Sequence, residues 1–163
     1  MTAPRAGQRQ VDESLPRFEI PVKHEQAKTM NLNVPVEEFT TPDPVMVPDT
    51  ASIEEMAELM EQHDVRHLPI VRDGGVVGVV SDRDLRLALV LSAKPRNQVT
   101  ARDIMAADPV SVLADTPLDE VAFDMSERKI GSVLVYEESG DYLGIFTVTD
   151  ALNALIEILR GET

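Results

Sequence analysis

The chain is one unit written twice. Residues 36–85, "VEEFTTPDPVMVPDTASIEEMAELMEQHDVRHLPIVRDGGVVGVVSDRDL", align with residues 101–151, "ARDIMAADPVSVLADTPLDEVAFDMSERKIGSVLVYEESGDYLGIFTVTDA", at an offset of 65 or 66 positions. Asp43-Pro44-Val45 meets Asp108-Pro109-Val110, Asp49-Thr50 meets Asp115-Thr116, Met60 meets Met125, Gly78 meets Gly144, and Asp84 meets Asp150. Such a repeat constrains the architecture before any single element is read. Two copies are fewer than a solenoid needs, so a closed pair packed face to face is expected.

Each copy has the same order of periods. Ile53, Met56, Ala57 and Met60 fall at i, i+3, i+4 and i+7, as do Leu118, Val121, Ala122 and Met125, which is one apolar helix stripe per copy. The methionines on these stripes read as core. Thr50 and Thr116 lie just ahead as candidate caps, with acidic residues in the first turns, where the helix dipole favours them. The runs "HLPIV" and "SVLVY" are followed by turn residues at Asp73-Gly74-Gly75 and Ser139-Gly140-Asp141, then by "VVGVV" and "YLGIF", which predicts a hairpin. A second helix is expected over 82–92 and 148–160, opened by Ser81-x-x-Asp84 and Thr147-x-x-Asp150. The unit is therefore β-α-β-β-α, and the fold class α/β (α+β). The first motif covers 34–92, a linker 93–100, and the second motif 101–163. Residues 1–33 are polar, contain Pro4, Pro16 and Pro21, and have no sustained period, so they are expected to form a disordered or loosely attached tail.

Acidic residues outnumber basic ones 29 to 15, a net charge of -14, so a nucleic-acid backbone would be repelled. With no cysteine there is no disulfide framework, thiolate nucleophile or Cys-based metal site. The start lacks the apolar region of a signal peptide, and no run approaches the roughly 18 apolar residues of a membrane span. A soluble, cytoplasmic protein without membrane attachment is expected. His24, His63 and His67 are too scattered for a metal site, and no Ser-His-Asp order, P-loop or complete GxGxxG is present. No enzymatic machinery is expected.

The ordered set "DPV", "RHLPIV", "GVVSDRD" and "IGSVLV…LGIFTVTD", twice in one short chain, closely resembles the CBS (cystathionine-β-synthase-type) domain in its paired form, the Bateman module, over about residues 36–160. The resemblance implies two motifs packed through their sheets with pseudo-twofold symmetry. It also implies two clefts that often bind AMP, ADP or ATP and, in some members, S-adenosylmethionine or NAD. Carried over residue by residue, one cleft would combine Thr147, Thr149 and Asp150 with Thr40, Thr41, Pro42, Val65, Arg66 and His67. The other would combine Ser81, Arg83 and Asp84 with Met105, Ala106, Ala107, Ile130, Gly131 and Ser132. No required cofactor follows from it.

Two readings of Ser/Thr-x-x-Asp stay open. The pattern is a helix capping box, which alone would explain it. A helix N-terminus also offers N–H donors and a positive dipole end to a phosphate, and the Asp can accept from a ribose diol. Arg66 and His67 separate the readings, because the second copy holds Gly131 and Ser132 at the same positions and a shared core requirement does not demand basic groups there. In a chain at -14, Arg66 can build the local positive charge that a phosphate needs. The other account of Arg66 and His67 is a solvated strand entry paired with Asp64 or Asp73. The expected function is a non-enzymatic regulatory sensor of adenosine nucleotides that signals to an unidentified partner protein. The alternative is a ligand-free dimerisation or interaction module whose two motifs are only caps. A homodimer is expected either way, with the stripes at 53–60 and 118–125, after filling the core, as candidate association surface.

Overall fold

Each repeat lends its lead-in segment to the other repeat's sheet in the computed structural model, which describes residues 33–161. The tail expected over 1–33 lies outside the described residues except for Asn33. The chain runs β1 (Thr41–Pro42), β2 (Val47–Pro48), α1 (Ile53–His63), β3 (His67–Arg72), β4 (Gly75–Ser81) and α2 (Asp82–Leu91). It continues α3 (Ala101–Ile104), β5 (Ala106–Ala107), β6 (Ser111–Leu113), α4 (Leu118–Arg128), β7 (Ser132–Tyr136), β8 (Tyr142–Thr147) and α5 (Val148–Arg160). One sheet has the order β2-β3-β4-β5 and the other β1-β8-β7-β6.

The hairpins form where the turn residues place them. β3 and β4 are joined by Asp73 and Gly74, both at positive φ (53° and 81°), the conformation that a tight two-residue hairpin requires. The exchange lies at the sheet edges. Gly78 and Val79 of β4 pair with Ala107 and Ala106 of the second repeat, while Ile145 and Gly144 of β8 pair with Thr41 and Pro42 of the first. A side chain at Gly144 would run into the Thr41 carbonyl, and one at Gly78 would meet the Met105 thioether at 2.6 Å. The bare glycines admit the crossing strands.

The exchange extends into the cores. Val99 and Ala101 are buried with Ile53, Met56, Leu68, Ile70 and Val80 of the first repeat, and Val36 is buried with Val121, Val133, Val135 and Phe146 of the second. Full burial of one such valine is worth about 1.5–3 kcal/mol. Two isolated bridges, Pro35 with Pro117 and Ser52 with Thr100, repeat the same crossing on each side. Buried Asp49 strengthens one of them. Its carboxylate lies 3.3 Å from Arg102 of α3 and 3.6 Å from Arg72, and its carbonyl accepts from the Arg102 N–H at 2.9 Å. Between the two sheets lie Val79, Leu134 and Ile145, flanked by Tyr136 and Tyr142 in an edge-to-face pair 5.4 Å apart.

Two local expectations are corrected. Thr50 and Thr116 do not cap. Ser52 caps α1 by accepting from the Glu55 N–H at 3.1 Å, and at α4, which follows Pro117, the Leu118 N–H donates to the Val34 carbonyl at 2.8 Å, so the crossing lead-in serves in place of a cap. Ala57 faces solvent, and Leu59 packs against the core instead. On the stripes of α1 and α4, Ile53, Met56, Met60, Leu118, Val121 and Met125 fill the cores, while Phe123 on α4 stays exposed. Exposed large apolar residues gather on the second helix of each repeat: Leu87, Leu89, Val90 and Leu91 on α2, and Val148, Leu152, Leu155, Ile156 and Leu159 on α5. Among the described residues, no helix is long and apolar enough to cross a membrane.

Candidate functional site

Both Ser/Thr-x-x-Asp motifs are closed capping boxes. Asp150 Oδ2 accepts from the Thr147 N–H at 2.8 Å and from its hydroxyl at 2.7 Å, while the Asp150 N–H donates to Thr147 Oγ1 at 3.4 Å. Asp84 and Ser81 repeat this at 2.8, 2.6 and 3.3 Å. A third box, Thr100 with Asp103, opens α3 and was not expected; its signal was the same Thr-x-x-Asp spacing. Lys94 reaches Asp103 at 2.5 Å, and this hydrogen bond, with that from Thr100, holds the Asp103 carboxyl down to about 2.

The caps leave one carboxylate oxygen uncommitted. Each box uses Oδ2 alone, and Oδ1 of Asp84 and of Asp150 makes no hydrogen bond among the described residues. Capping and ligand binding therefore do not compete for the same atom. The first N–H of each helix is tied across to the neighbouring strand entry, Val148 to the Gly131 carbonyl at 3.1 Å and Asp82 to the Arg66 carbonyl at 2.9 Å. These bonds set each helix start beside residues 65–67 or 130–132.

Two cavities result, one beside each cap. The larger, about 520 Å³, brings together Thr41, Val65, Arg66, His67, Thr147, Thr149 and Asp150 from the expected set. Asp64, Gly131, Ile145, Val148 and Leu152 complete its wall. Thr40 and Pro42 do not line it: the Thr40 hydroxyl donates to the Val36 carbonyl at 2.9 Å, and Pro42 pairs with Gly144 in the sheet. Of the missed residues, Val148 and Leu152 had a signal, since they lie one helical turn apart at the start of the helix that the cap opens. Asp64 had one too, as the residue that ends α1 in the left-handed conformation (φ 52°) and swings Val65–His67 into the cleft.

The smaller cavity, about 240 Å³, collects Ser81, Asp84, Ala106, Ala107, Ile130, Gly131 and Ser132 as expected. Val79, Asp108, Pro109, Val110 and His67 also line it. Met105 and Arg83 are not on its wall: Met105 folds over Gly78, and Arg83 sits exposed on the first turn of α2.

The electrostatics of the two cavities differ. Arg66 is exposed and has no ion pair among the described residues, so the pairing with Asp64 or Asp73 is not made; Asp73 lies 4.0 Å from Arg72 instead. The larger cavity thus has an uncommitted guanidinium, and the smaller has glycine at the equivalent position. Burial pushes the His67 imidazole below its ordinary value of 6.5, against the opposing pull of Asp82, Asp84 and Asp150 and with a smaller contribution from Arg66. Among the described residues no cluster of His, Asp or Glu could hold a metal ion.

Comparison with known proteins gives the same picture of the chain. The CBS domain family pattern matches residues 36–91 and again 101–157. Among curated proteins, L-aspartate semialdehyde sulfurtransferase of Methanocaldococcus jannaschii is 31% identical over 116 residues, which is 71% of this chain but 22% of that enzyme. The chain thus spans about a fifth of that relative. Among solved structures, the CBS domain pair of protein MJ0100, in complex with 5'-methylthioadenosine and S-adenosyl-L-methionine, is 29% identical, with a TM-score of 0.66 over 75% of this chain and 99% of that one. CBSX2 in complex with AMP is 28% identical, with a TM-score of 0.64 over 77% of this chain and 98% of that one.

Proposed function

The chain belongs to the CBS domain family as a tandem pair, and from that premise we propose that it is a regulatory module that binds an adenosine nucleotide and catalyses no reaction. The observation that carries this reading is the larger cavity. There Arg66 of one repeat and the capped start of α5 from the other face the same space, with Oδ1 of Asp150 uncommitted. Because Arg66 makes no ion pair among the described residues, a phosphate can take its guanidinium without displacing a carboxylate, and in a chain at -14 it supplies the local positive charge that an anion needs. The phosphate would lie between Arg66 and the first turn of α5, and the ribose hydroxyls would donate to Asp150. The related CBS pairs solved with AMP and with S-adenosyl-L-methionine support an adenosine compound as the class of ligand.

A ligand touching both repeats favours one arrangement of them by its differential affinity, and a partner protein would read that arrangement. The module acts as a homodimer in this reading. Val148, Leu152, Leu155 and Leu159 recur along α5 at the alternating four- and three-residue spacing of a helix–helix seam, and all four are exposed.

Thermal unfolding with millimolar AMP, ADP, ATP, S-adenosylmethionine and NAD in parallel tests the reading. A ligand at 100 times its Kd adds about 2.7 kcal/mol, a shift of several degrees. A shift with one of these that is lost in Arg66→Ala is the expected result. No shift with any of them leaves the motifs as caps and the chain as an interaction module.

A further inference from the structure

The two cavities are built from equivalent parts of the repeat, yet one is about 520 Å³ and the other about 240 Å³. Pockets that hold small molecules run about 300–1,000 Å³, so only the first falls within that range. One side chain breaks the symmetry. His67 lines both cavities, whereas its counterpart Ser132 lines only the smaller. The imidazole extends toward the second repeat because Gly131 has no side chain: a Cβ there would stand 2.8 Å from His67 Nε2. Ser132 is too short to reach across in the other direction. His67 thus stands in the larger cavity as wall and in the smaller as obstruction.

We propose that His67 sets the number of ligands the chain takes: its imidazole, seated on Gly131, fills space that an adenosine phosphate needs beside Ser81 and Asp84, and so confines binding to the cleft of Thr147 and Asp150. This inference rests on the nucleotide reading above. Around the imidazole stand Asp82 and Asp84 of α2, Asp150 of α5 and the adjacent Arg66. Burial keeps the ring toward its neutral form, in which it is an apolar-faced wedge rather than a phosphate ligand for the smaller cleft.

Isothermal titration with AMP and, separately, ATP measures the stoichiometry per chain. The unaltered protein binds one equivalent; His67→Ser, which copies Ser132 but also alters a wall of the larger cleft, is read by whether it gains an equivalent that does not need Asp150. The same substitution is then made where the larger cleft is disabled: Asp150→Ala binds none, and Asp150→Ala with His67→Ser regains one. Two equivalents in the unaltered protein, or one equivalent retained by Asp150→Ala, would overturn the inference while leaving the nucleotide reading in place. So would a single equivalent in His67→Ser with none in the double variant. Absence of binding in every protein would overturn the nucleotide reading itself. Circular dichroism establishes that each variant is folded, and if Asp150→Ala unfolds, Arg66→Ala, at a residue that lines only the larger cleft, takes its place in the single and the double variant.

Discussion

The His67 imidazole rests on the bare α-carbon of Gly131, close enough that a Cβ there would stand 2.8 Å from Nε2. Gly131 is not in the left-handed region, so alanine is not excluded by the backbone and the cost of adding it is contact alone. Gly131→Ala is expected to destabilise by about 1–2 kcal/mol, as overpacking does. Because the contact is with one side chain, the cost should vanish when His67 is serine. A double-mutant cycle by urea unfolding checks this: a coupling of about 1 kcal/mol or more is expected, and additivity would mean that the imidazole does not lie on Gly131.

Gly144 should tolerate alanine far less. The atom that its side chain would strike is the carbonyl of Thr41, which is fixed by the pairing of β1 with β8, whereas at Gly78 the nearest atoms are Sδ and Cγ of the flexible Met105 side chain, with the Ala106 carbonyl farther off at 3.0 Å. Gly144→Ala is expected to cost about 3 kcal/mol or more, and Gly78→Ala about half as much. Thermal unfolding ranks them, and equal losses would contradict the difference between a backbone and a side-chain obstacle.

What the sequence conveyed and what it did not divide along physical lines. The helix stripes, hairpins and caps were legible because each is a local pattern: the period at Ile53, Met56 and Met60, the two positive-φ residues Asp73 and Gly74, the hydroxyl three residues before Asp84. The exchange of β1 and β5 was not, since a two-residue strand such as Thr41–Pro42 is too short to have an alternation. The lining of the larger cleft followed the same division. Thr147, Thr149 and Asp150 could be placed from the motif, but Asp64 and Gly131 enter only because the second repeat lies against the end of α1. His67 could be assigned to one cleft from its position in the repeat. That it also borders the other depends on the missing side chain at Gly131, a relation between the two copies rather than within either.

The two capping boxes should be alike in stability and unlike in binding. Ser81→Ala and Thr147→Ala each remove a hydroxyl that accepts one helix N–H, which costs about 1 kcal/mol and lowers the midpoint by a few degrees. Thr147 lines the larger cavity beside Arg66, and Ser81 the smaller one. AMP should therefore protect Ser81→Ala against heat as well as it protects the unaltered protein, and protect Thr147→Ala less. Equal loss of protection would argue that the caps matter only through the fold.

Charge on the α5 seam should abolish the proposed dimer. Leu155 and Leu159 are 51% and 77% exposed and line neither cavity, so Leu155→Glu with Leu159→Glu touches only the proposed association surface. Sedimentation equilibrium is expected to give a dimer for the unaltered chain and a monomer for the variant, with the thermal response to AMP retained. A variant that remains dimeric would move the interface to α2 or to Phe123 on α4.

The dependence of stability on pH should run opposite to that of a histidine that gains an anionic partner. Burial lowers the His67 value in the folded chain below 6.5, while the unfolded chain titrates near that value. Between the two, the unfolded state binds more protons, so stability rises with pH across this window and is level above it. Acidification below pH 6.5 should therefore destabilise the unaltered protein more than His67→Ser, with the two alike from 7.5 down to about 7. Taking the difference isolates the contribution of His67. Asp82, Asp84 and Asp150 face the ring and limit the effect, so replacing Asp84 with Asn should enlarge it. Midpoints measured in denaturant at intervals from pH 5.5 to 7.5 decide the matter, in steps of roughly half a pH unit. Parallel profiles for the two proteins would mean that the imidazole is as easily protonated in the cleft as in water, and the wedge on Gly131 would then lose its neutral character.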